Sequence, residues 1–152
     1  MMLENTLQFP SCFEYTGDYI LERSTKLSIG YDLRCTGYER LGSNRLLLST
    51  SIIFKRIQFG YYFTVNSKSG WAIKGWSVTN SPGIIDPDYI DKEIKVIFSR
   101  DEETAENTIQ VPQIGDRIAQ LVIHKVPDIM LSHGFGLEGA ERVGGFGSTG
   151  LK

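Results

Sequence analysis

Cysteine is nearly missing from this chain of 152 residues: Cys12 and Cys35 are its only two, too few for a disulfide framework or a thiolate metal site. Histidine is as scarce, and His124 and His133 alone rule out a histidine-based metal cluster. No apolar run approaches the roughly 18 residues of a membrane span. The opening Met1-Met2-Leu3-Glu4-Asn5 has neither the basic n-region nor the apolar h-region of a signal peptide. The expectation is a protein with no targeting signal and no membrane partner, intracellular and either cytoplasmic or nuclear. Neither sign of charge dominates, with 16 Lys and Arg against 18 Asp and Glu, which argues against nucleic acid held by a general basic field. A polyphosphate ligand would instead need a few placed cations and a metal ion.

Long helical periodicity is also absent: no stretch of ten or more residues keeps it without interruption. Short β-rich runs recur in its place at Leu46–Leu48, Ile52–Phe54, Tyr61–Val65, Trp76–Thr79, Ile94–Phe98 and Ile118–Val126. Turn clusters separate them, among them Gly42-Ser43-Asn44, Asn66-Ser67-Lys68-Ser69-Gly70 and Ser81-Pro82-Gly83. One short helix is expected near Ser69–Lys74, and the charge-rich Arg100–Asn107 reads as a solvated loop. Many short strands with regular punctuation predict an all-β jelly-roll or barrel-like domain over residues 1–140. There is no internal repeat and no linker.

The last residues form a glycine-rich segment, 141–152. Gly145-Phe146-Gly147-Ser148-Thr149-Gly150 satisfies G-x-G-x-x-G, but that fingerprint and the P-loop both need a helix directly after the glycines to hold phosphate. The sequence stops two residues later, so the expectation is a phosphate-binding C-terminal arm rather than either standard motif.

Four further segments stand in order before it: Gly30-Tyr31-Asp32-Leu33, Lys68-Ser69-Gly70-Trp71-Ala72, Asn80-Ser81-Pro82-Gly83-Ile84-Ile85-Asp86-Pro87-Asp88-Tyr89, and Gly115-Asp116-Arg117-Ile118-Ala119-Gln120-Leu121. With the tail they resemble, in content, order and spacing, the five motifs of the homotrimeric dUTP pyrophosphatases (dUTPases). The resemblance runs from about residue 26 to the C-terminus. It implies a distorted jelly roll with one very short helix, a flexible C-terminal arm, and a homotrimer with active sites shared between chains. It also implies dUTP as ligand and Mg²⁺ as cofactor.

Read from the residues, Gly30 suits a tight turn before Asp32. By resemblance Asp32 holds a water in the shell of Mg²⁺, an ion that keeps several waters and uses few carboxylates. Lys68, Ser69 and Gly70 resemble the family's Arg-Ser-Gly phosphate loop; lysine keeps the charge there but loses the bidentate fork. Pro82-Gly83 reads as the start of a hairpin whose backbone, at Gly83 and Ile84, faces a uracil edge beside the Asn80 amide. Tyr89 resembles the tyrosine that packs beneath the deoxyribose and excludes a 2′-hydroxyl. Asp86, restricted by Pro87, resembles the base that activates the attacking water. Gln120 resembles the glutamine that reaches the α-phosphate, while Asp116 and Arg117 read as a structural ion pair. In the arm, Arg142, Ser148 and Thr149 would take phosphates and Phe146 would stack on uracil. The chain departs from the family after Tyr89, where Ile90-Asp91-Lys92-Glu93 replaces Arg-Gly-Glu, and in a shorter spacing from Arg142 to the glycines.

The implied activity is hydrolysis of dUTP to dUMP and pyrophosphate by attack of an Asp-activated water on the α-phosphate. Three other readings stand beside it: a dCTP deaminase of the same fold, a catalytically weak dUTPase-like protein that binds nucleotide or a partner, and a structural jelly-roll subunit. The last explains the strands but none of the polar segments.

Overall fold

The computed structural model describes residues 13–101 and 110–134. The segment 141–152, with Arg142, Phe146, Ser148 and Thr149, lies outside the described residues, as does most of the expected loop Arg100–Asn107. The expected all-β architecture is borne out. The elements are β1 (Glu14–Thr16), β2 (Tyr31–Arg34), β3 (Gly37–Arg40), β4 (Arg45–Arg56), β5 (Tyr61–Ser67), α1 (Ser69–Ala72), β6 (Trp76–Val78), β7 (Gly83–Ile85), β8 (Glu93–Arg100) and β9 (Arg117–Lys125). They build two antiparallel sheets. One runs β1-β4-β8-β6, with β3 sharing β4; the other runs β2-β9-β5-β7.

The long strand β4 corrects the reading of Leu46–Leu48 and Ile52–Phe54 as separate strands. Its buried positions alternate from Leu46 to Phe54, the period of a half-buried strand, straight through the polar run Ser49-Thr50-Ser51. The ladder to β8 shifts between Ser49 and Ile53, where Ser51 takes φ 58°. Glu93 makes that bulge tenable: its Oε1 accepts the N–H groups of Thr50 at 3.2 Å and Ser51 at 2.9 Å. The fully buried Thr50 donates its hydroxyl to the Ile94 carbonyl. Each polar group taken from water there has a partner, as burial demands.

The core lies between the sheets. Phe54 and Phe63 stack across it at 4.5 Å, and Phe98 sits 6.0 Å from both Trp71 and Trp76. Both indoles are also tied by their N–H groups, Trp71 to the Arg117 carbonyl at 2.8 Å and Trp76 to the Gln110 carbonyl at 2.9 Å. Trp71 thereby fixes the single turn of α1 against the start of β9. A cavity of about 210 Å³ remains between the sheets, lined by Phe13, Tyr15, Leu21, Tyr31, Phe54, Phe63, Leu121 and Ile123. Among the described residues, none of the expected site residues lines it. No helix among the described residues is long and apolar enough to cross a membrane.

Tyr31-Asp32-Leu33, after Gly30, lies in strand β2. One further reading is corrected. Gly83 opens a strand, β7, but β7 pairs with β5, and its chain neighbours β6 and β8 lie in the other sheet. Ser81-Pro82, a cis peptide, therefore leads from one sheet to the other, not round a hairpin.

Candidate active site

Backbone register gathers one group of expected residues. Asp32 of β2 stands opposite Gln120 of β9, which stands opposite Asn66 of β5; β5 ends at Ser67 and leads through Lys68 into α1. Asp32 is 6% exposed, and its carboxylate is filled by donors. Lys68 Nζ donates to Oδ1, Ser24 Oγ donates to Oδ2 at 2.8 Å, and Arg117 Nη1 lies 3.6 Å from Oδ2. Burial alone would push this carboxyl upward. The hydrogen bonds from Lys68 and Ser24, with the charges of Lys68 and Arg117, outweigh burial and hold it below the usual 3.8.

Gly30 serves a purpose other than a tight turn. A Cβ there would lie 3.0 Å from Gln120 Cβ and 3.1 Å from Gln120 Cδ, so glycine lets the Gln120 side chain cross the backbone. Gln120 Nε2 donates to the Ser67 carbonyl at 3.3 Å, which ties the amide to the loop before α1. The expected Asp116–Arg117 ion pair does not form. Asp116 Oδ2 accepts the Gln113 N–H at 2.8 Å within its own turn, while Arg117 begins β9 and turns toward Asp32. Ser69 and Gly70 are exposed at the start of α1, where helix amides have no intrahelical partner, and Gly70 has open space beside it. An open cleft of about 320 Å³ adjoins them, lined by Lys68, Gly70, Trp71, Lys74, Gln110, Asp116 and Arg117.

The third expected segment lies along the edge strand β7. Asn80 packs beside Gly83, its Nδ2 at 3.4 Å from where a Cβ would stand, and Ile84 is exposed opposite Thr64. Asp86 follows β7 on the surface; among the described residues nothing donates to its carboxylate. It shares an open cleft of about 560 Å³ with Ile57, Phe59, Pro87 and Asp88. Tyr89 is half-buried against the core and donates its hydroxyl to the Glu93 carbonyl at 3.1 Å. The bend after it survives without glycine. Asp91 takes φ 58°, donates its N–H to the Phe54 carbonyl at 2.9 Å, and pairs with Lys55 at 2.8 Å.

The structure does not bring Asp86 to Asp32, Gln120 and Lys68 of the same chain. Phe63 pairs with Ile85 and Asn66 with Gln120, three residues apart on β5. At about 3.3 Å per residue and 4.8 Å per strand, Ile85 is about 10 Å along and about 10 Å across from Gln120. Asp86 is one residue further away. A single water cannot touch both side chains across that gap.

The dUTPase family model matches residues 18–150. The chain belongs to the dUTPase family. A relative named deoxyuridine 5'-triphosphate nucleotidohydrolase, from a Hydrogenobaculum species, is 41% identical over 112 residues, covering 71% of this chain and 72% of its own. One of the same name from Wolinella succinogenes is 38% identical over 124 residues, covering 80% and 79%. Among solved structures, a mutant dUTPase of Staphylococcus bacteriophage 80alpha with dUpNHpp has a TM-score of 0.71 at 20% identity, covering 92% of this chain and 99% of that one. A mutant dUTPase from phage phi11 of S. aureus, described as coordinating a structural Mg(II) ion, has a TM-score of 0.66 at 18% identity, covering 84% and 99%. These structures share the fold.

Sequence reasoning missed Ser24 and the direction of Arg117 in this family member. Ser24 precedes the resembling region and sits eight residues from Asp32, a distance at which no periodic pattern connects them. Arg117 starts β9, and the register shift between Leu33 and Arg34 breaks the alternation at Ile118-Ala119, both buried, so spacing along the sequence does not give the direction of Arg117.

Proposed function

We propose that this chain is a dUTP pyrophosphatase that cleaves dUTP to dUMP and pyrophosphate. The observation that carries the reading is the dUTPase family match over residues 18–150. In the reaction Asp86 takes a proton from water as the water oxygen attacks the α-phosphorus. The bridging oxygen between α- and β-phosphorus leaves with pyrophosphate. An exposed carboxylate with no donor partner among the described residues is free to act as that base.

The phosphates would lie over Ser69 and Gly70, with Gln120 reaching the α-phosphate. Lys68 would serve two acceptors: its ammonium has three donors, so one can stay on Asp32 while another meets a phosphate oxygen. Asn80 and the backbone at Gly83 and Ile84 would meet the uracil edge, and Tyr89 would back the deoxyribose. From the arm 141–152, Arg142, Ser148 and Thr149 would close on the phosphates and Phe146 on the base. The base's C5 position would be read by fit, a discrimination of about 1–3 kcal/mol for one methyl group.

The donor set fits Mg²⁺ in one way. Among the described residues no group of three or more His, Cys, Asp or Glu could hold a metal ion. Asp32, with Lys68 and Ser24 already on it, suits a contact through water and not direct ligation. Bound there, Mg²⁺ would supply neutralising charge to the triphosphate. The separation of Asp86 from Gln120 and Lys68 supports a homotrimer in which one chain gives the base and the neighbouring chain gives the phosphate-side group. Pyrophosphate release from dUTP, dCTP and UTP tests the activity. Release from dUTP alone supports it; ammonia release from dCTP, or no turnover of any of the three, overturns it.

A further inference from the structure

We infer that Ser24 is a positioning residue for the reaction: its hydroxyl, aimed by the turn that follows it, fixes the direction in which the Asp32 carboxylate faces. The inference rests on the dUTP-hydrolysis reading, in which Asp32 holds a water beside the triphosphate and Mg²⁺ supplies neutralising charge. Ser24 Oγ donates to Asp32 Oδ2 at 2.8 Å. The Asp32 side chain is 7% exposed, whereas Ser24 lies on the surface. A surface hydroxyl thus reaches a buried anion, and the backbone on either side of it is built for that reach.

Before Ser24 the chain runs along the outer edge of β2. The Asp32 N–H donates to the Glu22 carbonyl at 2.8 Å, and Arg23 bridges Tyr31. After Ser24 it turns over Thr25–Ser28. The Ser28 N–H donates to the Thr25 carbonyl and to Thr25 Oγ1, both at 3.1 Å, and the Thr25 N–H donates to Ser28 Oγ at 3.1 Å. Arg23 ties the two parts together: its Nη1 donates to the Ser28 carbonyl at 3.4 Å, and its guanidinium lies 5.7 Å over the Tyr31 ring. Leu27 within this turn is 92% exposed, so hydrogen bonds rather than burial of that side chain order it.

The carboxylate needs this second anchor. Lys68 donates to Oδ1 from a flexible four-carbon stem, and a phosphate also calls on its ammonium. Arg117 Nη1, at 3.6 Å from Oδ2, is beyond ordinary hydrogen-bond length. Ser24 is therefore the short-stemmed donor on Oδ2, and with Lys68 it pins both oxygens and sets the carboxylate plane. A carboxylate has about four lone-pair sites, so two remain for water, in directions that Ser24 helps to fix.

Calorimetric titration of the full chain with dUpNHpp, in Mg²⁺ and separately in EDTA, tests this in the wild type, Ser24→Ala and Ser24→Thr, with each fold checked by circular dichroism. Partners that orient a metal-holding carboxylate are worth about 10–100-fold when it ligates directly, and a contact through water should show about three- to tenfold. Ser24→Ala should lose that much affinity in Mg²⁺ and none in EDTA, and Ser24→Thr, which keeps the hydroxyl, should restore it. A purely structural role would lower both affinities alike. Such a parallel loss overturns the inference, as does an unchanged Mg²⁺ affinity in Ser24→Ala or a Ser24→Thr as weak as Ser24→Ala. If wild-type affinity is the same in Mg²⁺ and EDTA, the water-holding reading of Asp32 falls and the inference falls with it.

Discussion

Removing Lys68 tests how the buried Asp32 is held. Lys68→Met deletes the donor on Asp32 Oδ1 and leaves a carboxylate whose side chain is 7% exposed. Ser24 and Arg117 remain, but Arg117 is at 3.6 Å with half its side chain in solvent. A hydrogen bond to a charged, buried partner is worth about 1.5–3 kcal/mol, so Lys68→Met should cost that much. Arg117→Gln should cost less than about 1 kcal/mol, the scale of an exposed pair. Urea unfolding at fixed protein concentration measures both, and a double-mutant cycle of Lys68→Met with Asp32→Asn should show a coupling above about 1 kcal/mol. The pH dependence has a definite sign. Asp32 has its folded pKa depressed below 3.8, so its contribution is present above 3.8 and is lost only as pH falls through the lower folded value. The coupling should therefore be intact at pH 5. Equal costs for Lys68→Met and Arg117→Gln, or a coupling already gone at pH 5, would refute the arrangement.

Gly30→Ala should displace the Gln120 amide, because a Cβ would stand 3.0 Å from Gln120 Cβ; the expected result is a larger loss in kcat than in thermal stability, read by steady-state kinetics and a melting curve. Tyr19, half-buried and bonded to the Arg34 backbone, has its hydroxyl pushed up to about 12 by the loss of solvent around it, so the stability it adds is complete below pH 10 and lost as pH rises toward 12. Tyr19→Phe should flatten that alkaline limb of the unfolding profile; an unchanged limb assigns it to another group. Asp86→Asn should lower turnover by about 10²–10⁴-fold, the range for a lost general base, and Gln120→Ala should be weak as well. Co-expressed, the two variants should recover part of the activity in mixed oligomers, since some sites then combine an intact Asp86 with an intact Gln120; mixed oligomers no better than their parents would place both groups in one chain's site.

The parts of the fold legible in the sequence were those where apolar residues face the core without interruption. Tyr61–Val65 and Ile94–Phe98 fall within β5 and β8, and Ile118–Val126 matches β9 in all but its last residue. The parts missed are strands that carry polar residues inward or lie at an edge. Ser49-Thr50-Ser51 looks like a break because hydroxyls favour turns, yet Thr50 is fully buried, satisfied by Ile94 and tied to the bulge that Glu93 supports. Tyr31-Asp32-Leu33 looks like a turn because a carboxylate after a glycine belongs in one. Asp32 can be buried in β2 only because Lys68, 36 residues on, supplies its counter-charge. No local pattern contains that pairing. The motif spacing could point to each site residue separately, but which residues meet is decided by register across β2, β9 and β5. That register sets Asp32, Gln120 and Lys68 together and leaves Asp86 about four residues down the sheet, a separation that no spacing of the segments along the chain contains.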